Sequence, residues 1–522
     1  MPLPPGGAFN NRQPAARSGT NTNDPDRLSP LDLLIFLPII AAVAMAFGAP
    51  ARSAALAAAG ANLLIALCLA FTFVPGDGFQ FEARRAVLNS PAMGFNVGID
   101  GLSLVMVLLT VLVTLAAVWV RPPKEGGEGF WYSSALLIAA GAMGAFVSTD
   151  LVFFYAFHEL ALIPTFLMIG MRGTGNNKDA AWKITIYLGF GSLVLLAGLA
   201  WLVVAAAAKG GEMTFDMAKL AAQARGIEGG TQEHIYLTLL IGFGILISLF
   251  PFHSWAAPAY ASAPAPVAML HSGVLKKFGL YGLLRVAVPM LPLGQSAEWI
   301  QHILIILLLG NILFIGLVTI AQKELDMVLG NSSVMHMGYI FLGIASGNAI
   351  GYGGAVLLMF AHGISIALLF ALCAAVREKT GTLQFHRLGG MAKGAPVLGL
   401  LFGMGAFASI GLPGFANFAG EVNIFFGGFA NKSDCGCLGW LEWATILALW
   451  GVVMSAVYML RAYRAVFKGQ PGQAVYGVTD IGQDTRIPAL LLVAALLITG
   501  FFPNLLLDLV RPVVEALAPV SR

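Results

Sequence analysis

Charged residues are scarce in this sequence. Only 11% of its 522 residues are Asp, Glu, Lys or Arg, whereas 58% are hydrophobic, and the mean hydropathy is +0.82. A soluble domain carries about a quarter charged residues. The net charge is only +3 and the sequence has no dense basic run, so nothing favours binding to nucleic acid. This balance is typical of an integral membrane protein.

Cysteine is equally scarce. The four cysteines, Cys68, Cys373, Cys435 and Cys437, are too few for a disulfide framework and do not suit a four-thiolate metal site or an iron–sulfur cluster. The first two lie in apolar runs and are interpreted as core residues. The other two share the segment KSDCGCLGW and are interpreted as free thiols. A Gly-rich phosphate loop between a strand and a helix is also lacking. We therefore expect no redox centre, metal or cofactor in this chain.

Residues 1–28 are rich in Pro, Asn, Gly and Arg. This composition predicts a disordered tail. A cleavable signal is not expected, because no short apolar region with a small-residue cleavage site precedes the first apolar run.

Long apolar runs dominate the rest of the chain. Runs of roughly 20 apolar residues predict about fourteen membrane spans, and hence an all-α polytopic membrane protein. The predicted spans are 31–49, 52–74, 98–120, 130–148, 150–171, 181–207, 236–288 (in two pieces), 298–321, 327–347, 351–376, 395–412, 413–430, 442–467 and 488–510. The polar interruption 208–235 is long enough for a short amphipathic helix. Lys and Arg occur in loops on both sides, so their count does not settle the orientation.

Two segments interrupt the regular apolar pattern. LFPFHSWAAPAYASAPAPVAML contains four prolines, and SIGLPGFANFAGEVNIFFGG contains Pro413 among glycines. Proline removes a backbone hydrogen bond, which lipid cannot replace, so both segments predict discontinuous helices, the seventh and the twelfth. Five spans separate them, which favours two inverted five-helix repeats. The expected parts are the tail 1–28, helices 1–3 in 29–129, helices 4–8 in 130–321, helices 9–13 in 327–467, and helix 14 with a tail in 488–522.

Several ionisable residues lie inside or at the ends of these spans. They are Glu159, His253, Lys276, Lys277, Lys323, Glu324, Asp326, His336, His362 and Glu421. A charge at the bilayer centre costs at least ~2.5–3.5 kcal/mol. One interpretation is a set of static ion pairs that hold helices together. A series from the fifth to the twelfth span favours the other interpretation, a proton-transfer route.

The segment YAFHELALIPTFLMIG contains the first of these residues, Glu159, beside His158. In an apolar interior the charged forms of lysine and of a carboxylate are both disfavoured, and each becomes favoured again when the other approaches. We therefore expect Glu159 to control the protonation of Lys277. Tyr281, one turn further, is either a hydrogen-bond partner of that site or a packing aromatic. Lys276 and Lys277 are 100° apart on a helix, so we expect only one of them to face inward.

At these residues the sequence resembles the antiporter-like membrane subunits of respiratory complex I, the proton-pumping NADH:quinone oxidoreductase, and specifically the chain M (subunit 4) family. The resemblance covers about residues 90–470. The matching stretches are FHELALIPTFLMIG, PFHSWAAPAY, SGVLKKFGLYGLLR, SSVMHMGYIFLGI, MFAHGISIALLFAL and GLPGFANFAGEVNIFFGGF.

The resemblance implies roles for individual residues. Glu159 would pair with Lys277 of a broken seventh helix. Glu421 would be the exit-side acid of a broken twelfth helix. The central histidines would fall on His336 and His362, and the broken-helix histidine on His253. Fourteen helices with two inverted five-helix repeats are also implied.

Two stretches depart from the family pattern. Where most members read like DIKRLIAYSS, this chain has ELDMVLGNSS, which puts Asp326 on the family lysine. Lys323, one turn earlier, is a replacement and could pair with Asp326 at i, i+3. The second stretch, FHSWAAPAYASAPAP, has Pro258 and Tyr260 in place of an Asp and a second His. The chain is therefore a divergent member.

The resemblance implies a proton-translocating subunit of NADH:quinone oxidoreductase, with flavin, iron–sulfur clusters and quinone in partner subunits. Other membrane subunits, including further antiporter-like chains on its flanks, would be its partners, in the cell's inner (plasma) membrane. Two alternatives stay open. One is a subunit of a multi-subunit cation/proton antiporter or a membrane-bound hydrogenase. The other is a structural spacer that has lost transport.

Overall fold

A computed structural model describes residues 28–121, 127–208, 211–292, 297–430 and 438–518. Most of the predicted tail 1–28, and the loop cysteines Cys435 and Cys437, lie outside the described residues. Eleven of the described helices are long and apolar enough to cross a membrane. The prediction of a helical polytopic membrane protein is confirmed.

The elements follow one another in this order. The first part contains α1 Pro30–Ala46, α2 Ala51–Thr72, β1 Gln80–Asn89, β2 Ala92–Ile99, α3 Gly101–Trp119, α4 Glu128–Val147, α5 Leu151–Arg172, α6 Asn177–Ala207, α7 Met217–Ala224, α8 Gly229–Ile247, α9 Ala256–Ser262, α10 Ala265–Leu270, α11 Lys277–Gly282 and α12 Val288–Met290. The second part contains α13 Glu298–Leu309, α14 Ile315–Ala321, α15 Leu325–Ala345, α16 Ala349–Thr380, α17 Pro396–Ile410, α18 Ala416–Ala430, α19 Trp440–Phe467, α20 Gln483–Phe501 and α21 Asn504–Leu517. π-helical turns at His271–Leu275, Leu283–Ala287 and Gly310–Phe314 join α10 to α11, α11 to α12 and α13 to α14.

One end of the helix bundle is marked by an antiparallel β-hairpin, β1–β2, which the sequence analysis did not anticipate. Val97 bridges to Ser148 at the end of α4, and Ala92 bridges to Thr214 before α7. The side chain of Arg85 holds both oxygens of Asp32 in α1. We call this end the hairpin end.

The opposite end, here the far end, is where other loops meet. The Thr174 N–H after α5 donates to the Ser262 carbonyl at the end of α9 (2.8 Å). The Phe385 N–H after α16 donates to the Lys323 carbonyl after α14 (3.1 Å). These contacts give the direction of each helix through the bundle.

The predicted seventh span, 236–288, is two crossings rather than one. α8 begins at the hairpin end, where Gln232 donates to the Ile227 carbonyl behind α7 (2.9 Å), and α9 reaches the far end. The chain then returns through α10 to α12, which packs against α7. Apolar composition continues around the turn, so hydropathy alone could not separate the two crossings.

The predicted spans 395–412 and 413–430 are two halves of one crossing. α17 and α18 have 15 residues each, or about 22 Å, which is too short for a core of about 30 Å. α17 starts at the far end, and α18 reaches the hairpin end, where Asn348 donates to the Gly427 carbonyl (2.8 Å). The break between them contains Gly411 and Gly414, both with positive φ.

These two corrections cancel, so within the described residues the chain crosses the bundle fourteen times. The seventh crossing (α8–α9) and the twelfth (α17–α18) are the discontinuous ones, as predicted. The segment Glu298–Ala321, predicted as the eighth span, becomes the ninth crossing. The division of the chain into halves at 321–327 stays a prediction. The predicted last span, 488–510, ends at Phe501, and α21 follows it as a separate helix at the hairpin end.

The longest helix, α16, lies at the centre and is buried along its membrane-spanning window. Glycines let the eighth crossing approach it closely: a Cβ on Gly363 would lie 2.6 Å from the Gly273 carbonyl oxygen. This close approach brings the preceding residue of α16, His362, to the lysines that follow Gly273.

Candidate functional site

Lys277 lies at the centre of the bundle and is fully buried. Its Nζ donates to the Ser272 carbonyl (2.6 Å) and lies 2.9 Å from Nδ1 of His362 on α16. The π-helical turn before it explains the first contact, because such a turn displaces backbone carbonyls from the regular ladder. A proton on Lys277 therefore has a direct route to an imidazole.

Lys276 is buried as well. Its Nζ contacts the Ser333 hydroxyl on α15 (3.4 Å) and lies 5.5 Å from the ring centroid of Tyr260. The expectation that only one of the two lysines faces inward is wrong. They do point in different directions, but α15 and α16, which they meet, are both interior helices.

His336 on α15 continues the row beyond His362, and the two ring centroids are 5.3 Å apart. Its Nδ1 lies 2.8 Å from the Ser332 carbonyl oxygen and its Nε2 lies 2.9 Å from the Ser409 carbonyl oxygen in α17. The Ser332 hydroxyl is a third contact, 3.5 Å from Nδ1. A ring protonated on both nitrogens donates to both carbonyls, whereas a neutral ring donates to only one of them. A proton on either nitrogen of His336 therefore finds a carbonyl acceptor. We call Lys277, His362 and His336 the central row.

Glu421 is buried on α18 at the break of the twelfth crossing. Its carboxylate rests against Gly411, where a Cβ would overlap Oε2. Among the described residues it forms no ion pair. A buried carboxylate without a basic partner is expensive unless it is protonated, so this position also suits a group that exchanges a proton.

Glu159 is not paired with Lys277. Its Oε1 accepts from the Ser192 hydroxyl on α6 (2.6 Å) and lies 3.4 Å from Nδ1 of His158, and its side chain is 36% exposed. Lys277 belongs to the eighth crossing and points to α16. The seventh crossing, 229–262, contains no lysine. The pairing expected from the resemblance is therefore not formed.

Lys323 does not take part in the central row. It is exposed in the turn before α15, which begins at Leu325, so the i, i+3 geometry with Asp326 does not exist. Asp326 is instead buried in an ion pair with Arg377 of α16 at the far end. The charge of Asp326 on α15 is thus balanced by Arg377 of the neighbouring helix. The buried lysine besides Lys277 is Lys276 and not Lys323.

His253 lies in the break of the seventh crossing and is half-buried. Its ring stacks on Phe250, with centroids 5.5 Å apart. Among the described residues, no hydrogen bond links it to the central row. Its assignment as a proton-transfer residue stays a prediction.

Tyr281 belongs to a second polar network, at the hairpin end. Arg285 donates to both oxygens of Asp100 (2.7 and 2.6 Å), and its Nε donates to the Tyr281 hydroxyl (3.1 Å). Tyr281 in turn donates to the Phe146 carbonyl (2.9 Å). Burial opposes ionisation of Asp100, but Arg285 outweighs it, so the pKa of the Asp100 carboxyl lies below its usual value. Tyr281 is therefore a partner of Arg285 and not of Lys277.

We expect Arg285→Met to destabilise the protein by about 3–5 kcal/mol, because it leaves Asp100 buried without its counter-ion. The measurement is the denaturation midpoint of the purified protein in detergent. Arg121→Met is the matched control, since Arg121 pairs with Asp484 at the surface with 64% of its side chain exposed. A midpoint for Arg285→Met equal to that of the control would contradict this role of the pair.

The sequence analysis left several residues out of the site. His271 is buried, contacts the Tyr260 hydroxyl through Nδ1 (3.2 Å), and its Nε2 has no hydrogen-bond partner among the described residues. The Ser332 hydroxyl lies 2.9 Å from that of Tyr458. The signal for His271 was its position five residues before Lys276. Nothing local marked Tyr458, which arrives from α19.

The part of the chain that the structure describes makes fourteen crossings, two of them broken, around a buried row of bases. This arrangement is that of an antiporter-like, ion-translocating membrane subunit. The chain belongs to the family described as NADH:quinone oxidoreductase/Mrp antiporter, transmembrane, whose model matches residues 148–447.

Similar proteins span nearly the full length. The chain is 31% identical over 501 residues to NAD(P)H-quinone oxidoreductase chain 4 of Gloeobacter violaceus, covering 94% of this chain and 93% of the relative. It is 32% identical over 497 residues to F(420)H(2) dehydrogenase subunit M of Methanosarcina mazei, covering 94% and 98%. A chain of respiratory complex I from Thermus thermophilus superposes with a TM-score of 0.84 at 30% identity, covering 94% and 99%.

Proposed function

We propose that this chain moves protons across the membrane as a subunit of a quinone-reducing respiratory complex. The observation that carries the proposal is the central row, in which Lys277, His362 and His336 follow one another inside the bundle with no carboxylate in ion-pair contact among the described side chains. Each member can hold a proton and pass it on.

The composition of the row argues against a static scaffold. A structural ion pair joins opposite charges, whereas this row collects bases only. Burying an unpaired charge costs several kcal/mol. A chain that had become a spacer would gain stability by losing these bases. Their presence supports a row whose members change protonation state in turn.

The carboxylates lie at the two ends of this route. Glu159, partly exposed on α5, is the input-side group, and Glu421, at the break of the twelfth crossing, is the output-side group. Lys276, with Ser333 and Tyr260, supplies the second buried cation in place of Lys323. The members of the row titrate as a coupled set. A proton passed along the row therefore belongs to the set, and no single pKa is assigned to each member.

The driving reaction takes place in partner subunits. Flavin, iron–sulfur clusters and quinone are bound there, and quinone reduction rearranges charges that reach this chain through neighbouring membrane subunits, including antiporter-like chains. The electron donor also depends on those partners, since similar chains serve enzymes named for NAD(P)H and for F420H2. The membrane is the plasma membrane of the cell.

The proposal is tested by purifying the tagged chain in a mild detergent and identifying what accompanies it. We expect flavin- and iron–sulfur-bearing subunits, with quinone reduction that acidifies or alkalinises reconstituted vesicles. An uncoupler should abolish this pH change but not quinone reduction itself. Small membrane partners without a redox arm, and exchange of protons for Na⁺ or K⁺, would show a cation/proton antiporter instead.

A further inference from the structure

Glu159 has an unusual neighbour for its place in the membrane. His158 is 3% exposed, and its Nδ1 lies 3.4 Å from Glu159 Oε1. The same oxygen accepts from Ser192, which is neutral. Among the described ion pairs, His158 is the only basic partner of Glu159, and an imidazole nitrogen can accept a proton or donate one.

The other side of His158 faces the eighth crossing. Its ring stacks on Phe278, with centroids 4.0 Å apart and planes 18° apart, and Phe278 directly follows Lys277. His158 therefore lies between the input-side carboxylate and the lysine-bearing helix.

We infer that His158 is the proton-carrying partner of Glu159, and that it occupies the role for which the resemblance predicted a lysine. The inference rests on the proposed function. In one state a protonated imidazole faces a carboxylate. In the other, the proton has moved from Nδ1 to Oε1, leaving a neutral imidazole and a carboxylic acid. No other species is consumed or released. The net charge of the pair is zero in both states, but the positive charge on His158, which stacks on Phe278 of the eighth crossing, is lost when the proton moves, without a lysine at this position.

Packing alone does not account for this residue. A phenylalanine at position 158 would keep the stack on Phe278 and would avoid a polar ring in an apolar site. The histidine instead places Nδ1 3.4 Å from Oε1 of Glu159. A positive charge on the buried imidazole is therefore stabilised when Glu159 is ionised and is costly when Glu159 is protonated.

Three variants of position 158 in the whole complex test the inference. His158→Phe keeps the ring stack and removes the proton carrier, so we expect pumping per quinone reduced to fall at least about twofold. His158→Gln keeps polarity without titration and should fall similarly, and it serves if the Phe variant does not assemble. His158→Lys restores a cation beside Glu159 and should retain clearly more pumping than His158→Phe.

His302→Phe is the matched control, because His302 also packs against an aromatic ring, that of Trp440, with centroids 4.9 Å apart, away from the central row. It should pump normally. Normal pumping by His158→Phe or by His158→Gln overturns the inference. So does a Lys variant as impaired as the Phe variant, since shape and not charge would then matter.

The Lys277→Met variant separates this inference from the proposed function. If Lys277→Met stops pumping while the His158 variants pump normally, the proposed function stands and the role of His158 falls. If Lys277→Met also pumps normally, the proposed function itself fails.

Discussion

Replacing Lys277 by methionine should abolish proton transfer through this chain while leaving its assembly intact. Methionine has a similar length and no charge, so it fills the same space without a buried ammonium group. The carbonyl of Ser272 and Nδ1 of His362 lose their donor. Loss of a positioned proton-transfer group slows such a step by about 10²–10⁴-fold.

The measurement is acidification of vesicles driven by quinone reduction, normalised to the amount of assembled complex. Lys219→Met is the control, because Lys219 is an exposed lysine of the surface helix α7. We expect the control to pump normally. Normal pumping by Lys277→Met would support the spacer alternative and remove the central row from the mechanism.

The sequence predicted the spans well because a membrane span needs only a long apolar run. The sequence analysis divided two regions wrongly. A turn between two crossings and a break within one crossing differ in the direction of the chain that follows, and not in composition. Pro264 follows the far-end turn between two crossings, whereas Gly411 marks a break in the middle of one. Both appear as an interruption of apolar sequence, and only the contacts at the helix ends distinguish them.

The β-hairpin was missed for a related reason. A search for apolar runs passes over residues 75–97, although Phe95, Val97 and Ile99 alternate with other residues as in a strand. The contacts that hold the hairpin come from far along the chain, from Asp32 in α1 and from Asp150, whose carboxylate accepts from the Gly94 N–H (3.1 Å).

In the candidate site, the sequence likewise reveals the ionisable residues but not their partners. Each ionisable group inside a long apolar run, such as Lys277 or His336, is recognisable because burying it is costly. Its partner is not recognisable, because the partner comes from another crossing. Lys323 was taken as a helical neighbour of Asp326, but α15 begins at Leu325, after Lys323, and Arg377 approaches from α16.

The last prediction concerns the space beside Glu421. Gly411 ends α17 with φ +79°, and its Cα faces the carboxylate so closely that a Cβ would overlap Oε2. Gly411→Ala should therefore displace Glu421 and sharply reduce proton transfer, although the substituted residue is neither polar nor titratable. Gly381→Ala is the matched control: Gly381 ends α16 with φ +67°, and nothing lies within 4 Å of the position of its Cβ.

Both alanines carry the same backbone strain, about 1–2 kcal/mol for an L-residue in the left-handed region, so only the overlap with Glu421 differs. Gly411→Asn adds a further comparison, because asparagine tolerates that region yet still has a Cβ. If Glu421 is the output-side group, both substitutions at 411 lower vesicle acidification and Gly381→Ala does not. If all three variants pump equally well, the carboxylate can move without consequence, and proton release must depend on a group other than Glu421.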